Sequence, residues 1–167
     1  TNDQIDMKVS ADSASTEGDV VTQSSRTVHQ ADSTHRRPGL RRKAILIAKE
    51  LNDEETLSHA LNNVGTVQMT QGFIEKGNEL LQQSLAIALK NSYNEHAARA
   101  YTNLGCNWVV LKDYSKAEKF FEEGTRYCEE RDLDAWASYM LSWTARLKLD
   151  TGHWKEAYNI AEGLLKN

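Results

Sequence analysis

The chain has 167 residues, enough for one domain with a real core. Its net charge of −4 lacks the basic footprint of a nucleic-acid binder, so no direct nucleic-acid binding is expected. No apolar run approaches the roughly 18 residues that a membrane span needs. Two cysteines, Cys106 and Cys128, are too few for a disulfide framework, and neither has a metal-ligand neighbour at CxxC spacing, which points to a reduced, cytoplasmic setting. The chain begins at Thr1 and not at Met, as a fragment or a processed chain would.

Residues 1–37 are rich in Ser, Thr, Asp and Gln and contain no aromatic residue. They bury too little apolar surface to offset an ordering cost of about 1–2 kcal/mol per residue for backbone alone. A disordered or loosely docked polar tail is expected there. His29 and His35 lie in it without a carboxylate or cysteine partner, so they make a poor metal site. Residues 38–167 read as a separate helical domain. Pro38 is the chain's only proline, and it suits the first turn of a helix. Leu40, Ala44, Ala48 and Leu51 then follow at helical spacing on one face.

From there the chain repeats itself at an offset of 40. Ala60–Gly65, "ALNNVG", returns at Ala100–Gly105 as "AYTNLG". Gly65, Gly105 and Ala145 coincide, and so do Gly77, Ala117 and Ala157 twelve residues later. Leu61, Tyr101 and Leu141 line up, as do Leu81, Phe121 and Ala161, and Ile74, Tyr114 and Trp154. Asn52, Ser92 and Asp132 also coincide; all are good N-cap residues, and Glu55 and Glu95 follow the first two at capping-box spacing. These signals predict helices over 40–51, 54–70, 73–90, 94–111, 114–130, 134–149 and 154–166. The recurring small residues predict close contact between paired helices, because Gly inside a helix costs roughly 1 kcal/mol against Ala and needs a packing reason. Leu61, Val64, Leu80, Tyr101, Leu104, Trp108, Phe120, Phe121, Met140, Trp143, Leu147, Trp154 and Leu164 are the expected core around those contacts.

Small and large residues in this order, with twelve residues from Gly to Gly or Ala, resemble the tetratricopeptide repeat. The resemblance implies an all-α, tetratricopeptide-like right-handed solenoid of antiparallel helix pairs, with about seven helices. Two features depart from it: the period is 40 and not 34, and the Pro that usually closes the repeat is absent. Three stretches, "EHAARAYTNLG" (95–105), "YSKAEKFFEEGTRYCEERDLDAW" (114–136) and "SWTARLKLDTGHWKEAYNIAEGLL" (142–165), resemble the helical-repeat region of large bacterial LuxR-type transcription regulators. In that family an ATPase module precedes the repeats and a helix-turn-helix domain follows them. The resemblance implies a sensor or coupling portion of such a regulator, or a shortened relative.

Catalytic chemistry is not legible. "GFIEKGN" (72–78) has Asn78 where a phosphate loop requires Lys, so no nucleotide cofactor is expected. Cys106 and Cys128 read as small buried hydrophobes. His59 and His96 read as surface or capping residues, and no metal-ligand set stands out. In a tetratricopeptide stack the first helices of the pairs line the concave face. That geometry assigns partner binding to Asn63, Arg99, Asn103, Tyr139, Trp143 and Arg146. Asn can bond a peptide backbone in both directions, and Arg can hold a carboxylate bidentately. The expected function is a non-catalytic scaffold binding a protein or peptide segment, among them the regulator's flanking domains, with self-association through the repeat ends. The alternative is a small-molecule effector sensor, its ligand held at the Tyr139/Trp143 end.

Overall fold

A computed structural model describes residues 38–166, with side chains from Lys43 onward; the polar tail, His29 and His35 lie outside the described residues. Seven helices and no strand occur among the described residues: α1 (Pro38–Glu50), α2 (Glu54–Thr70), α3 (Ile74–Lys90), α4 (Asn94–Val110), α5 (Tyr114–Glu129), α6 (Asp134–Asp150) and α7 (Trp154–Lys166). The sequence pattern places each to within one or two residues. The fold is the tetratricopeptide-like helical-repeat solenoid that the 40-residue period predicts.

All six connections share one backbone device. Asn52, Gly72, Ser92, Lys112, Asp132 and Gly152 all have positive φ, between 52° and 89°, so a left-handed residue falls at every twentieth position. Each ends a helix with a Schellman motif, in which two N–H groups reach back to the last free carbonyls. At the first turn Asn52 N–H donates to the Lys49 carbonyl and Asp53 N–H to the Ala48 carbonyl, and the other five repeat this pairing. The residue after the left-handed one then opens the next helix: the carbonyls of Asp53, Phe73, Tyr93, Asp113, Leu133 and His153 each accept from the N–H four residues on.

This corrects the expected caps. Asn52, Ser92 and Asp132 recur at a period of 40 because they take up left-handed φ at a helix end, a conformation Asn and Asp tolerate better than most residues. They are not N-caps. The side chains that do cap are those of Asp53, accepting from Thr56 N–H at 3.0 Å, and Asp113, accepting from Lys116 N–H at 3.3 Å. Their hydrogen bonds hold both carboxyls below the usual carboxylate range.

One turn into each helix from α3 onward sits a small, buried residue: Gly77, Ala97, Ala117, Ala137 and Ala157. At Gly77, the first of these, α2 and α3 come into backbone contact. A Cβ on Gly65 would lie 2.7 Å from the Gly77 carbonyl oxygen, and one on Gly77 only 2.6 Å from Met69 N. The α2/α3 backbones therefore touch directly. A Cβ on Gly105 would overlap the Phe121 ring, and one on Gly124 would sit 2.7 Å from both Tyr101 Cβ and Met140 Sδ. Gly124 thus admits α4 and α6 to α5 on two sides. The pairs are antiparallel: Lys90 and Asn91 at the end of α3 reach Glu54 at the start of α2. Ser58 and Ser84 bond each other's carbonyls across the same pair, buried. One repeat on, Ala98 and Gly124 occupy their positions without polar atoms.

Around these contacts lies a continuous core of Leu81, Leu104, Phe121, Cys128, Met140 and Leu147, with Tyr101 and Trp108 at its edge. Of the expected core residues, Leu61 and Val64 are buried outside that cluster, Leu80 and Leu164 are half-buried and Trp154 is exposed; Leu51, expected on one face of α1, is exposed too. Leu51 is 71% exposed because it lies past the last full turn of α1. Trp154 is 72% exposed because no helix follows α7 among the described residues to cover it.

Two outcomes are expected. Gly105→Leu overpacks the α4/α5 contact and destabilises by about 1–3 kcal/mol or more; an unchanged denaturant midpoint would remove Gly105 from the contact. Lys112→Gly relieves a left-handed conformation that costs an L-residue about 1 kcal/mol. It should raise the denaturant midpoint, and a fall in the midpoint contradicts this turn geometry.

Candidate partner-binding face

The first helices of the pairs, α2, α4 and α6, pack on one another directly as well as on their partners. The second helices α3 and α5 do so far less. The stack therefore closes on the first-helix side and opens on the other. A row of side-chain contacts joins the closed side, and its hydrogen bonds each pair residues 40 or 41 apart. His96 Nε2 lies 3.2 Å from Glu55 Oε1. Arg99 donates to His59 Nδ1 at 3.0 Å. Asn103 Nδ2 donates to Asn62 Oδ1 at 2.5 Å. Trp136 Nε1 donates to Glu95 Oε2, and the Arg99 guanidinium sits 5.9 Å from the Trp136 ring centroid.

Arg99 is thus the centre of the row: from α4 it meets α2 on one side and α6 on the other. Because Arg has no acceptor, His59 must accept with Nδ1, which fixes the neutral tautomer carrying its proton on Nε2. Burial first, then the Arg99 and His96 charges, hold the His59 pKa below its usual value.

The six sequence-assigned residues fall on this face unequally. Asn63 is exposed on α2, whereas its repeat equivalent Asn103 is half-buried and bonded to Asn62. The recurrence of Asn at one register therefore hides two environments. Arg99 and Asn103 tie helices together, so neither is a free surface group. Tyr139 is 47% exposed on α6. Trp143 is half-buried against the core. Arg146 is exposed and paired with Asp150 at 2.9 Å, one turn along α6. Among these six the structure records no direct hydrogen bond from one to another.

Sequence reasoning missed the glutamates and misread the histidines. Glu55 and Glu95 recur at one register not as capping-box partners but because each reaches the next first helix. Their recurrence was the available signal. His59 and His96 are seam residues, their rings edge to face at a centroid distance of 5.6 Å. Asn62 is 1% exposed, and its Nδ2 has no partner among the described residues; nor has Thr66 Oγ1 one turn on. The seam thus holds unused hydrogen-bonding capacity.

The cysteines do not supply a nucleophile. Burial pushes the Cys106 thiol up to about 12 and the Cys128 thiol up to about 11, so both stay protonated at neutral pH. No helix of the described residues is long and apolar enough to cross a membrane.

The seam has a definite pH dependence. His59 binds protons less readily when folded than when unfolded, so its contribution is complete above the unfolded value near 6.5 and is lost as pH falls through the lower folded value. Protonation also removes the acceptor for Arg99. The thermal midpoint of the wild type should fall more between pH 7.5 and about 5 than that of His59→Gln, which does not titrate. Equal falls would show that His59 does not carry the dependence.

The tetratricopeptide repeat family matches residues 56–130. No curated protein matches the chain. The match spans α2 to α5, the two pairs whose contacts carry Gly65, Gly77, Gly105 and Ala117, so these residues form a tetratricopeptide-like region, a kind of repeat that mediates protein–protein interaction.

Proposed function

We propose that the chain is a non-catalytic scaffold that binds a protein or peptide segment along the face made by α2, α4 and α6. The single observation that supports this most is the seam itself. It presents the exposed Asn63 and Tyr139 beside a row of polar groups, among which the buried Asn62 Nδ2 and the Oγ1 of half-buried Thr66 lack partners among the described residues. Buried polar atoms in a folded protein are nearly always paired, so two left unpaired just beneath the exposed first-helix residues favour an incoming backbone as their partner. An extended peptide offers both carbonyl acceptors and N–H donors at regular spacing. The likeness of residues 95–165 to LuxR-type repeats suggests a sensor or coupling role in a transcription regulator. On that reading the flanking ATPase and helix-turn-helix modules are the first candidate partners.

The test uses residues that hold no helices together. In Asn63→Ala/Tyr139→Ala, stability should stay within about 0.5 kcal/mol for each exposed change. Affinity for the flanking modules, measured by calorimetric titration, should fall about tenfold or more, the equivalent of one or two lost contacts. Full affinity in the double variant would place binding elsewhere on the repeat.

A further inference from the structure

The stack opens on its second-helix side, and the two gaps there are built differently. Between α5 and α7 the gap is closed from within. Lys148, near the end of α6, sends Nζ to Glu118 Oε1 on α5 at 2.7 Å and to Glu156 Oε2 on α7 at 3.2 Å. Both bonds raise the Lys148 pKa. A cation from the first helix thus bridges a carboxylate on each flanking second helix.

One repeat earlier, 40 residues back, the same three positions are Trp108, Asn78 and Lys116. They do not close. The gap between α3 and α5 remains a groove of about 460 Å³, with Trp108 beneath it and Ile74 and Phe120 on its sides. Trp108 is 7% exposed, yet its Nε1–H has no acceptor among the described residues; Asn78 Oδ1, also buried, has no donor among them. A buried tryptophan N–H usually finds a partner, and leaving a buried polar atom orphaned is costly. Lys116 cannot satisfy Asn78: its Nζ lies 4.1 Å from the Trp108 ring centroid and is paired with Asp113.

The groove is also polarised. The α3 side presents the carboxylates of Glu75 and Glu79, neither ion-paired among the described residues, together with the amides of Asn78 and Gln82. The opposite side presents only donors: the Trp108 N–H and the ammonium groups of Lys116 and Lys119. Carboxylates along one wall repel a phosphate backbone, which excludes nucleic acid. A peptide unit matches the pair of open atoms, since its carbonyl accepts on one edge and its N–H donates on the other. Side chains of opposite charge match the walls, and an apolar side chain matches the Ile74, Trp108 and Phe120 surface.

From this we infer that the α3/α5 groove is a second docking site, distinct from the α2/α4/α6 face, for an extended peptide segment in which an apolar residue is flanked by a basic and an acidic one. The main chain bonds Trp108 Nε1–H and Asn78 Oδ1, the basic side chain faces Glu75 and Glu79, and the acidic one faces Lys116 and Lys119.

The test follows the Trp108 indole N–H signal by NMR in the full chain, which has four tryptophans. The probes are blocked pentapeptides, Gly-Lys-Leu-Glu-Gly and Gly-Glu-Leu-Lys-Gly, with controls in which both charges have one sign or Leu is replaced by Gly. One of the two mixed-charge peptides should move the Trp108 signal saturably, and the controls should bind about tenfold more weakly or worse. Lys119→Glu, on an exposed side chain, should weaken binding about tenfold without loss of fold. Trp108→Lys/Asn78→Glu/Lys116→Glu copies the closed gap and should abolish binding by calorimetry. The inference is overturned if neither mixed-charge peptide moves the Trp108 signal, or if Lys119→Glu binds as the wild type does. It is overturned equally if Asn63→Ala/Tyr139→Ala removes the peptide binding, because the peptide then sits on the first-helix face.

Discussion

The structure depends on one backbone constraint, a left-handed residue at every twentieth position. At each of these residues the last carbonyls of one helix are satisfied and the chain is redirected with only three residues between helices, or four between α5 and α6. Helices α2, α3, α4 and α6 are 17 residues long and α5 is 16. Equal helix lengths and identical turns make every pair superimposable in register. That is why Gly65 meets Leu81 and, forty residues on, Gly105 meets Phe121. A turn of different length would move the small residues off the contact and force backbones apart. The demand is on φ and not on side-chain chemistry, so Asn, Gly, Ser, Lys and Asp all serve.

Curvature follows from which helices touch. The first helices meet one another and stitch the meeting with polar pairs; the second helices do not. Stitching with hydrogen bonds and not with apolar packing leaves the seam partly wet and chemically legible to a partner. Each pair adds only about 0.5–1.5 kcal/mol net, so the seam orients the repeats more than it stabilises them. Arg99 shows the cost of this economy: one guanidinium serves α2, α4 and α6, so any ligand must use the donors it leaves free. The same holds for Asn103, which already spends one donor on Asn62.

The two gaps on the far side show what a repeat does with a position that the fold leaves free. Lys148 with two carboxylates satisfies itself, at 20% side-chain exposure where screening is incomplete. Trp108 fills its place with apolar area and a cation–π contact to Lys116, and leaves its N–H over. Both solutions are compatible with the same backbone, so the difference lies in side-chain chemistry and not in fold.

The sequence by itself determined the helices, the 40-residue period and the pairing of small residues, because these depend on local spacing and on one repeated steric demand. Gly65 with Gly77 was legible from its twelve-residue separation alone; the same spacing pairs Gly105 with Ala117, whereas the atoms nearest a Cβ on Gly105 are those of the Phe121 ring. It also marked Asn52, Ser92 and Asp132 as special, though for the wrong reason: good N-cap residues also tolerate left-handed φ, and composition does not separate the two uses. Only the tertiary structure decided which polar residues are free. Asn63 and Asn103 share a register, but one faces solvent and the other bonds Asn62 on the neighbouring repeat. Glu55 and Glu95 look like caps until the next helix is in place to receive them. Trp108 looks like ordinary core until its N–H is seen to lack an acceptor. Where a partner decides, it lies on another helix, 40 or so residues away, at a distance and angle that local pattern does not carry.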